Sequence, residues 1–397
     1  MPQSNDIKLA SLFSGCGGLD LGFVNEGYRS IGAFDTDSVA VEHFRANVSP
    51  EAYVADLSAA CGAVSSLRPS VVVAGPPCQG FSTAGRRDLE DSRNHLLPLA
   101  GILAIRMKPK AIVVENVASA QSGAHSRYWT QLESILRTAG YRTNTQKWNA
   151  ADMGLAQSRR RLFLFAWKGK RDPSFEMQPF IAGRLDETLS GVEQASGHNP
   201  SPLLPESKLY KIAARIGPGQ KLCNVRGGPR SVHTWHIPEV FGPTTARECH
   251  LLELIMRLRR QERERDFGDA DPVCRTRLRK ELGSGVGATI ATLLAKGYLC
   301  EKGRGVDLTH SYNGKCRRFR WDDISCAVDT RFGDPHLFLH PNEHRPFTVR
   351  EAARIQGFPD SFQFTGGDKD SFRLIGNAVP PPMAQYAARI LKPVFER

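Results

Sequence analysis

Residues 7–23 read IKLASLFSGCGGLDLGF: an apolar run, Ile7–Phe13, ends in a glycine-rich turn, and helical spacing follows over Asp20–Gly27. Glycines placed directly after a first strand let the backbone turn tightly and come close to a ligand, with a helix N-terminus next in line. A second apolar run, Ser30–Phe34, stops at Asp35, before a helix over Ser38–Asn47. Further strands are predicted at Val71–Ala74, Ala111–Val114 and Arg161–Trp167, with amphipathic segments Leu96–Arg106 and Tyr128–Ala139 between them. Short apolar runs alternating with helices predict an α/β fold with a mostly parallel sheet covered on both faces. Ligands of such sheets bind beyond the carboxyl ends of the strands. Asp35 sits at such an end, placed to accept hydrogen bonds from ribose hydroxyls. That logic suits a nicotinamide nucleotide and S-adenosylmethionine alike, but the glycine spacing is not GxGxxG and no phosphate-binding pattern replaces it.

The rest of the chain narrows the class. With 397 residues and 41% hydrophobic content it is long enough for two soluble domains. No apolar run approaches the ~18 residues of a membrane span, and the N-terminal stretch shows no secretory pattern. Nine cysteines, an odd count without CxxC pairs, point to a reducing cytoplasm rather than a disulfide framework. Cys249, His250, Cys300, Cys316 and Cys326 lack zinc-finger spacing, so no metal site is expected. A net charge of +12 suggests a polyanionic partner. From Gly169 to His344 the strand–helix alternation gives way to Pro/Gly-rich loops and basic clusters; from Arg345 the chain is compact again and ends in a helix over Pro382–Leu391. The expected layout is one α/β domain, 1–170 with 345–397, and an inserted basic domain, 171–344.

Four further stretches carry the chemistry. They are AGPPCQGFS (Ala74–Ser82), ENV (Glu115–Val117), QSRRR (Gln157–Arg161), and RPFTVREAARIQGFPDSF (Arg345–Phe362) followed by GNAVPPP (Gly376–Pro382). Together and in this order they resemble the DNA cytosine-5 methyltransferase family. The resemblance covers roughly 7–170 and 345–397 and implies a Rossmann-like catalytic domain that uses S-adenosylmethionine. Carbon 5 of cytosine is too weak a nucleophile to attack a sulfonium methyl. A thiolate added at carbon 6 makes the ring an enamine whose carbon 5 can attack, and Cys78 suits that role. Glu115, in a dry pocket with a raised pKa, is the candidate donor to ring nitrogen N3. Arg159 and Arg161, at alternating positions of one strand, are placed by the resemblance near the cytosine carbonyl, the nucleophile loop and the DNA backbone.

For the cofactor, the resemblance implies Phe13 beside the adenine or methionine part, Gly15 and Gly17 giving backbone approach, and Asp35 on the ribose. It also implies Asp56 on the adenine amino group, Leu96 as a wall, and Asn377 joining the pocket from the far end of the chain. Two positions depart from the family pattern: Asp35, where many members carry Glu, and Ala156, where Pro usually precedes Gln157. The target base lies inside a duplex and must be flipped out. The loop after Cys78, with Ser82, Arg86 and Arg87, resembles the family's closing loop, and Gln157 is expected at the DNA.

The insert corresponds to the family's target-recognition region, which reads bases in the major groove. Within it, helices over Arg247–Arg265, Arg275–Leu282 and Val286–Lys296, followed by a β-like tail to Trp321, resemble a winged helix-turn-helix over about 247–321. Thr289, Thr292 and Lys296 are then the expected DNA-facing residues, and Lys315, Arg317, Arg318 and Arg320 a second basic cluster. A tRNA methyltransferase of the same fold normally has a smaller recognition region. A non-enzymatic relative would lose Cys78, Glu115 or the glycines, and a dehydrogenase leaves GPPCQGFS unexplained. The expectation is a monomeric bacterial or phage enzyme acting on double-stranded DNA, alongside a cognate restriction endonuclease, with no membrane association.

Overall fold

Every side chain of the run Val71–Ala74 is fully buried, Val71 and Val73 in one apolar cluster and Val72 and Ala74 in another. A strand buried on both faces belongs at the centre of a sheet flanked by helices. The computed structural model, which describes residues 6–59, 62, 64, 66–77, 91–176, 180–261, 263 and 270–396, places it there. The sheet comprises β1 (Lys8–Leu12), β2 (Arg29–Asp35), β3 (Ala52–Val54), β4 (Val71–Ala74), β5 (Ala111–Val117), β6 (Arg142–Asn149) and β8 (Arg160–Trp167). Its spatial order is β3-β2-β1-β4-β5-β8-β6. Neighbours from β3 to β5 pair in parallel, whereas β8 runs antiparallel to both β5 and β6. The short strand β7 (Gln157–Ser158) leaves this sheet and pairs with Ser325–Cys326.

The helices that cover the sheet come from both ends of the chain. On one face α3 (Leu96–Arg106) and α4 (Ser126–Thr138) pack Leu97, Leu103, Trp129 and Leu132 with Val72, Ile112, Leu162 and Leu164. On the other, α1 (Gly18–Asn25) and α7 (Pro381–Phe395) pack Phe23, Met383, Ala387 and Leu391 with Val71, Val113, Phe163 and Phe165. Gly18 and Gly22, one helical turn apart, let α7 come so close that a Cβ on either would collide with the backbone near Val379, Pro381 or Gln385. Polar contacts fix the register of this pair. The Tyr28 hydroxyl donates to the Ala388 carbonyl at 2.8 Å, and the Glu26 carboxylate accepts from Gln385, Arg389 and Lys392.

The chain divides into two compact units: Met1–Asn199, Asp322–Arg331 and Val349–Arg397, and Pro200–Trp321 with Phe332–Thr348. These boundaries differ from those expected. Residues 171–199 and 322–331 belong with the sheet, because Ser325–Cys326 pairs with β7 and the Leu185 amide donates to the Asp323 carbonyl. The second unit has its own core. Helices Ala246–Gln261, Arg275–Leu282 and Val286–Ala295 bury Leu251, Ile255, Leu278, Ile290 and Leu293 with the strands Val273–Cys274, Leu299–Lys302 and Gly305–Leu308. Those strands form an antiparallel sheet with Gly305–Leu308 in the middle. A buried ion pair, Arg259 with Asp307, joins the long helix to that middle strand. Arg318 braces the neighbouring part: its guanidinium donates to the carbonyls of Ala213, Ile216, His340 and Glu343. Arg318 is therefore a buried brace and not part of a surface basic cluster. No helix among the described residues is long and apolar enough to cross a membrane.

Candidate active site

The register of the parallel strands lines up their carboxyl ends. Leu12 is paired with Phe34 and Ala74, Phe34 with Tyr53, and Ala74 with Val114. The residues just beyond, Phe13, Asp35, Asp56, Gly75 and Glu115, therefore share one edge of the sheet. Adjacent strands lie about 4.8 Å apart, so the row from Asp35 to Glu115 crosses three intervals, about 14 Å.

At the β1–β3 end the chain forms a cradle. Phe13 adopts a left-handed backbone (φ 54°), a strained conformation for a bulky side chain that costs about 1–3 kcal/mol. Gly15 and Gly17 follow with φ of 54° and 94°, and a Cβ on Gly15 would stand in open space. The Gly15 amide donates to Asp35 Oδ2 at 2.8 Å and the Asp37 amide to Oδ1 at 2.9 Å, which locks this carboxylate at the strand end. Burial still pushes the Asp35 pKa up. Asp37 caps α2 (Ser38–Asn47) and pairs with Arg373 of the helix Asp368–Asn377, which ties the C-terminal motif to this corner. Asp56 is exposed, and hydrogen bonds from Ser58 hold its pKa below the usual range. Beside it Tyr53 and Val54 expose apolar surface at 45% and 54%. Leu96 is half-buried at the start of α3, and Asn377 is exposed at the end of its helix. Two carboxylates at successive strand ends, an apolar rim and side-chain-free backbone fit a nucleoside with a ribose diol.

At the β4–β5 end stands Glu115, 8% exposed, with Arg161 Nε 2.9 Å from its Oε1. Burial is the dominant influence and raises the carboxyl pKa; Arg161 and Arg159 pull it the other way. A carboxyl that keeps its proton above the ordinary range is a hydrogen-bond donor. Asn116, which the sequence reading left without a role, donates to the Pro76 carbonyl at 3.1 Å and so fixes the loop two residues ahead of Cys78. The only sequence signal for it is its place in ENV. Cys78, Ser82, Arg86 and Arg87 lie outside the described residues.

Two site expectations are corrected here. Arg159 is 2% exposed and donates to the carbonyls of Val328, Gly376 and Ala378 at 2.7–2.9 Å, so it is a brace between QSRRR and GNAV. Its charge also lowers the Glu115 pKa. Gln157 is fully buried. Its amide donates to the Ile355 carbonyl and Gln356 Oε1, and its oxygen accepts from the Val328 amide, so nothing of it faces DNA. Gln356 completes the brace, donating to the carbonyls of Ile375 and Ala378.

In the second unit, Thr289, Thr292 and Lys296 do not share one exposed face. Thr289 is buried, and Lys296 is occupied by both oxygens of Glu248 at 2.8 and 2.9 Å and by the Pro243 carbonyl. Position 289 lies on the side that Val286, Ile290 and Leu293 turn to the core, whereas Lys296, just past the helix Val286–Ala295, is exposed. Thr292 is exposed, but its hydroxyl bonds back to the Ala288 carbonyl at 3.1 Å.

Comparison with known proteins agrees with this geometry. Residues 7–214 and 259–392 match the family described as C-5 cytosine-specific DNA methylase. The Type II methyltransferase M.AgeI of Thalassovita gelatinovora is 29% identical, over 97% of this chain and 99% of its own length. M.HgiCII of Herpetosiphon aurantiacus is 29% identical, over 97% and 96%. A solved structure of a DNA modification methyltransferase encoded within an E. coli prophage shares the fold, with TM-score 0.56 at 21% identity over 97% of this chain and 98% of that one.

Proposed function

The chain belongs to the C-5 cytosine-specific DNA methylase family, and we propose that this DNA cytosine-5 methyltransferase acts on one short duplex sequence through a flipped base and a covalent Cys78 adduct. The observation that carries the proposal is Glu115. It is a buried carboxyl of raised pKa on the strand next to β4, whose following loop leads into Cys78 and is held by Asn116.

The chemistry divides along the row of strand ends. S-adenosylmethionine, when bound, supplies an electrophilic methyl group. Phe13, Gly15, Gly17, Asp35, Asp56, Leu96 and Asn377 are the residues that would hold it, at the β1–β3 end. Cys78 thiolate adds to carbon 6 of cytosine, while Glu115 holds a proton at N3 and prevents negative charge from building on the ring. Carbon 5 then carries the electron pair that takes the methyl. Loss of the carbon 5 proton with expulsion of the thiolate restores the aromatic ring and the enzyme. Arg161, 2.9 Å from Glu115, orients its carboxyl. Extrusion of the base costs a few kcal/mol of stacking and pairing, which the loop holding Ser82, Arg86 and Arg87 helps to offset. Protection of host DNA beside a restriction endonuclease is the role we infer from the Type II names of the relatives.

The test is expression in a host that lacks cytosine methylation, followed by single-base sequencing of 5-methylcytosine, with Cys78→Ala alongside. Methylation confined to one short motif and absent in the variant is the expected result. Methylation that survives in Cys78→Ala would sink the covalent route.

A further inference from the structure

A groove of about 900 Å³ lies in the second unit, between the turn Val225–Gly228 and one flank of the helix Ala246–Gln261. Arg226 lines it from the turn; Glu253, Arg257, Arg260 and Gln261 line it from the helix. All five side chains are exposed, and positions 253, 257 and 260 recur at helical spacing on one face. Its inner wall includes His233, stacked on Trp235 with ring centroids 4.5 Å apart and bonded to the Cys223 carbonyl. Burial depresses the His233 pKa, so this wall is neutral at pH 7.

Most arginines among the described residues are occupied: Arg159, Arg318 and Arg350 by backbone carbonyls, Arg215, Arg275 and Arg354 by carboxylates. Among the described residues, Arg226, Arg257 and Arg260 have no side-chain hydrogen bond or ion pair. Three arginines around one groove with a single carboxylate, Glu253, make a locally positive surface that attracts an anion. Arg257 and Arg260 stand about 4.5 Å apart along the helix axis, and on the opposite wall only Gly227 and Gly228, without side chains, follow Arg226, so a chain of charges can lie along the groove. The family match breaks between residues 214 and 259. Nearly all of the groove therefore falls where the family description does not reach.

We propose that this groove grips the phosphodiester backbone of duplex DNA, through Arg226, Arg257 and Arg260, without reading bases. The proposal rests on the DNA substrate argued above. It predicts that Arg226→Ala and the double variant Arg257→Ala/Arg260→Ala bind a duplex carrying the methylated motif and a duplex lacking it equally more weakly. The expected loss is on the order of tenfold per arginine at low salt. The slope of log affinity against log salt should flatten by about 1 per arginine between 50 and 200 mM. The set of methylated sites, sequenced in the expression host, should stay the same. Thermal unfolding of each variant at the wild-type temperature makes the comparison one of folded proteins. Unchanged affinity and slope would overturn the proposal, and so would a relaxed methylation motif, since that makes the groove a base reader. Absence of cytosine methylation by the wild-type protein would instead count against the catalytic reading, while the binding measurements would still report on the groove.

Discussion

Two sets of arginines, Arg159 and Arg161 in one stretch and Arg226, Arg257 and Arg260 around the groove of the second unit, are used in opposite ways. In the first, Arg159 is sealed inside the sheet unit and spends its donors on three backbone carbonyls, and Arg161 is spent on Glu115. In the second, Arg226, Arg257 and Arg260 stand exposed around a groove with no partner among the described residues. A net charge of +12 does not distinguish these uses. Position relative to the core does: an arginine that must be desolvated is kept only where carbonyls or carboxylates replace its water.

The largest effect should come from the buried side of the comparison. Arg159→Ala strands three carbonyls and is expected to lower stability by about 3–5 kcal/mol, measured by denaturant unfolding. Asp20 is the acidic counterpart: fully buried, with one oxygen accepting from Ser11 at 2.8 Å, and burial raises its pKa to about 7. A raised carboxyl pKa favours the folded state at low pH and loses that contribution as pH rises through the folded value. Stability should therefore fall between pH 4 and pH 7, by about 3 kcal/mol from this group. Asp20→Asn, which keeps the hydrogen bond from Ser11, should flatten that dependence. Arg161→Met is intermediate. It removes the cation that lowers the Glu115 pKa, so the alkaline limb of kcat should move to higher pH even as kcat itself drops. The smallest effect belongs to Arg260→Ala, within about 0.5 kcal/mol of wild type in stability. A loss there as large as that of Arg159→Ala would break the contrast between the two stretches.

What was legible in the sequence follows the same division. The strands β1, β2, β4 and β5 announce themselves as apolar runs because both faces are buried, and the motifs that follow them fall at one sheet edge. The edge strand β6 passed unseen, since RTNTQKWN buries little beyond Trp148 and has no apolar alternation. The reversal of β8 was equally invisible, because an apolar run carries no sign of its direction. QSRRR reads as basic surface until the carbonyls of residues 328, 376 and 378 are brought to Arg159 from about 170–220 positions away. Thr289 reads as polar surface by residue type, whereas its burial is decided by the face it shares with Val286, Ile290 and Leu293.

The glycine contact between α1 and α7 has a consequence for how the protein is made. The glycine-rich turn and α1 are synthesised about 360 residues before the helix that backs them, Pro381–Phe395. At synthesis rates of about 5–20 residues per second, some 20–70 seconds separate the two. During that interval Leu19 and Phe23 lack their apolar cover, and the cradle around Asp35 has no Arg373 to pin Asp37. A chain that ends inside the insert would thus hold Asp35 and Glu115 but lack both the helix that backs α1 and the arginine that pins Asp37.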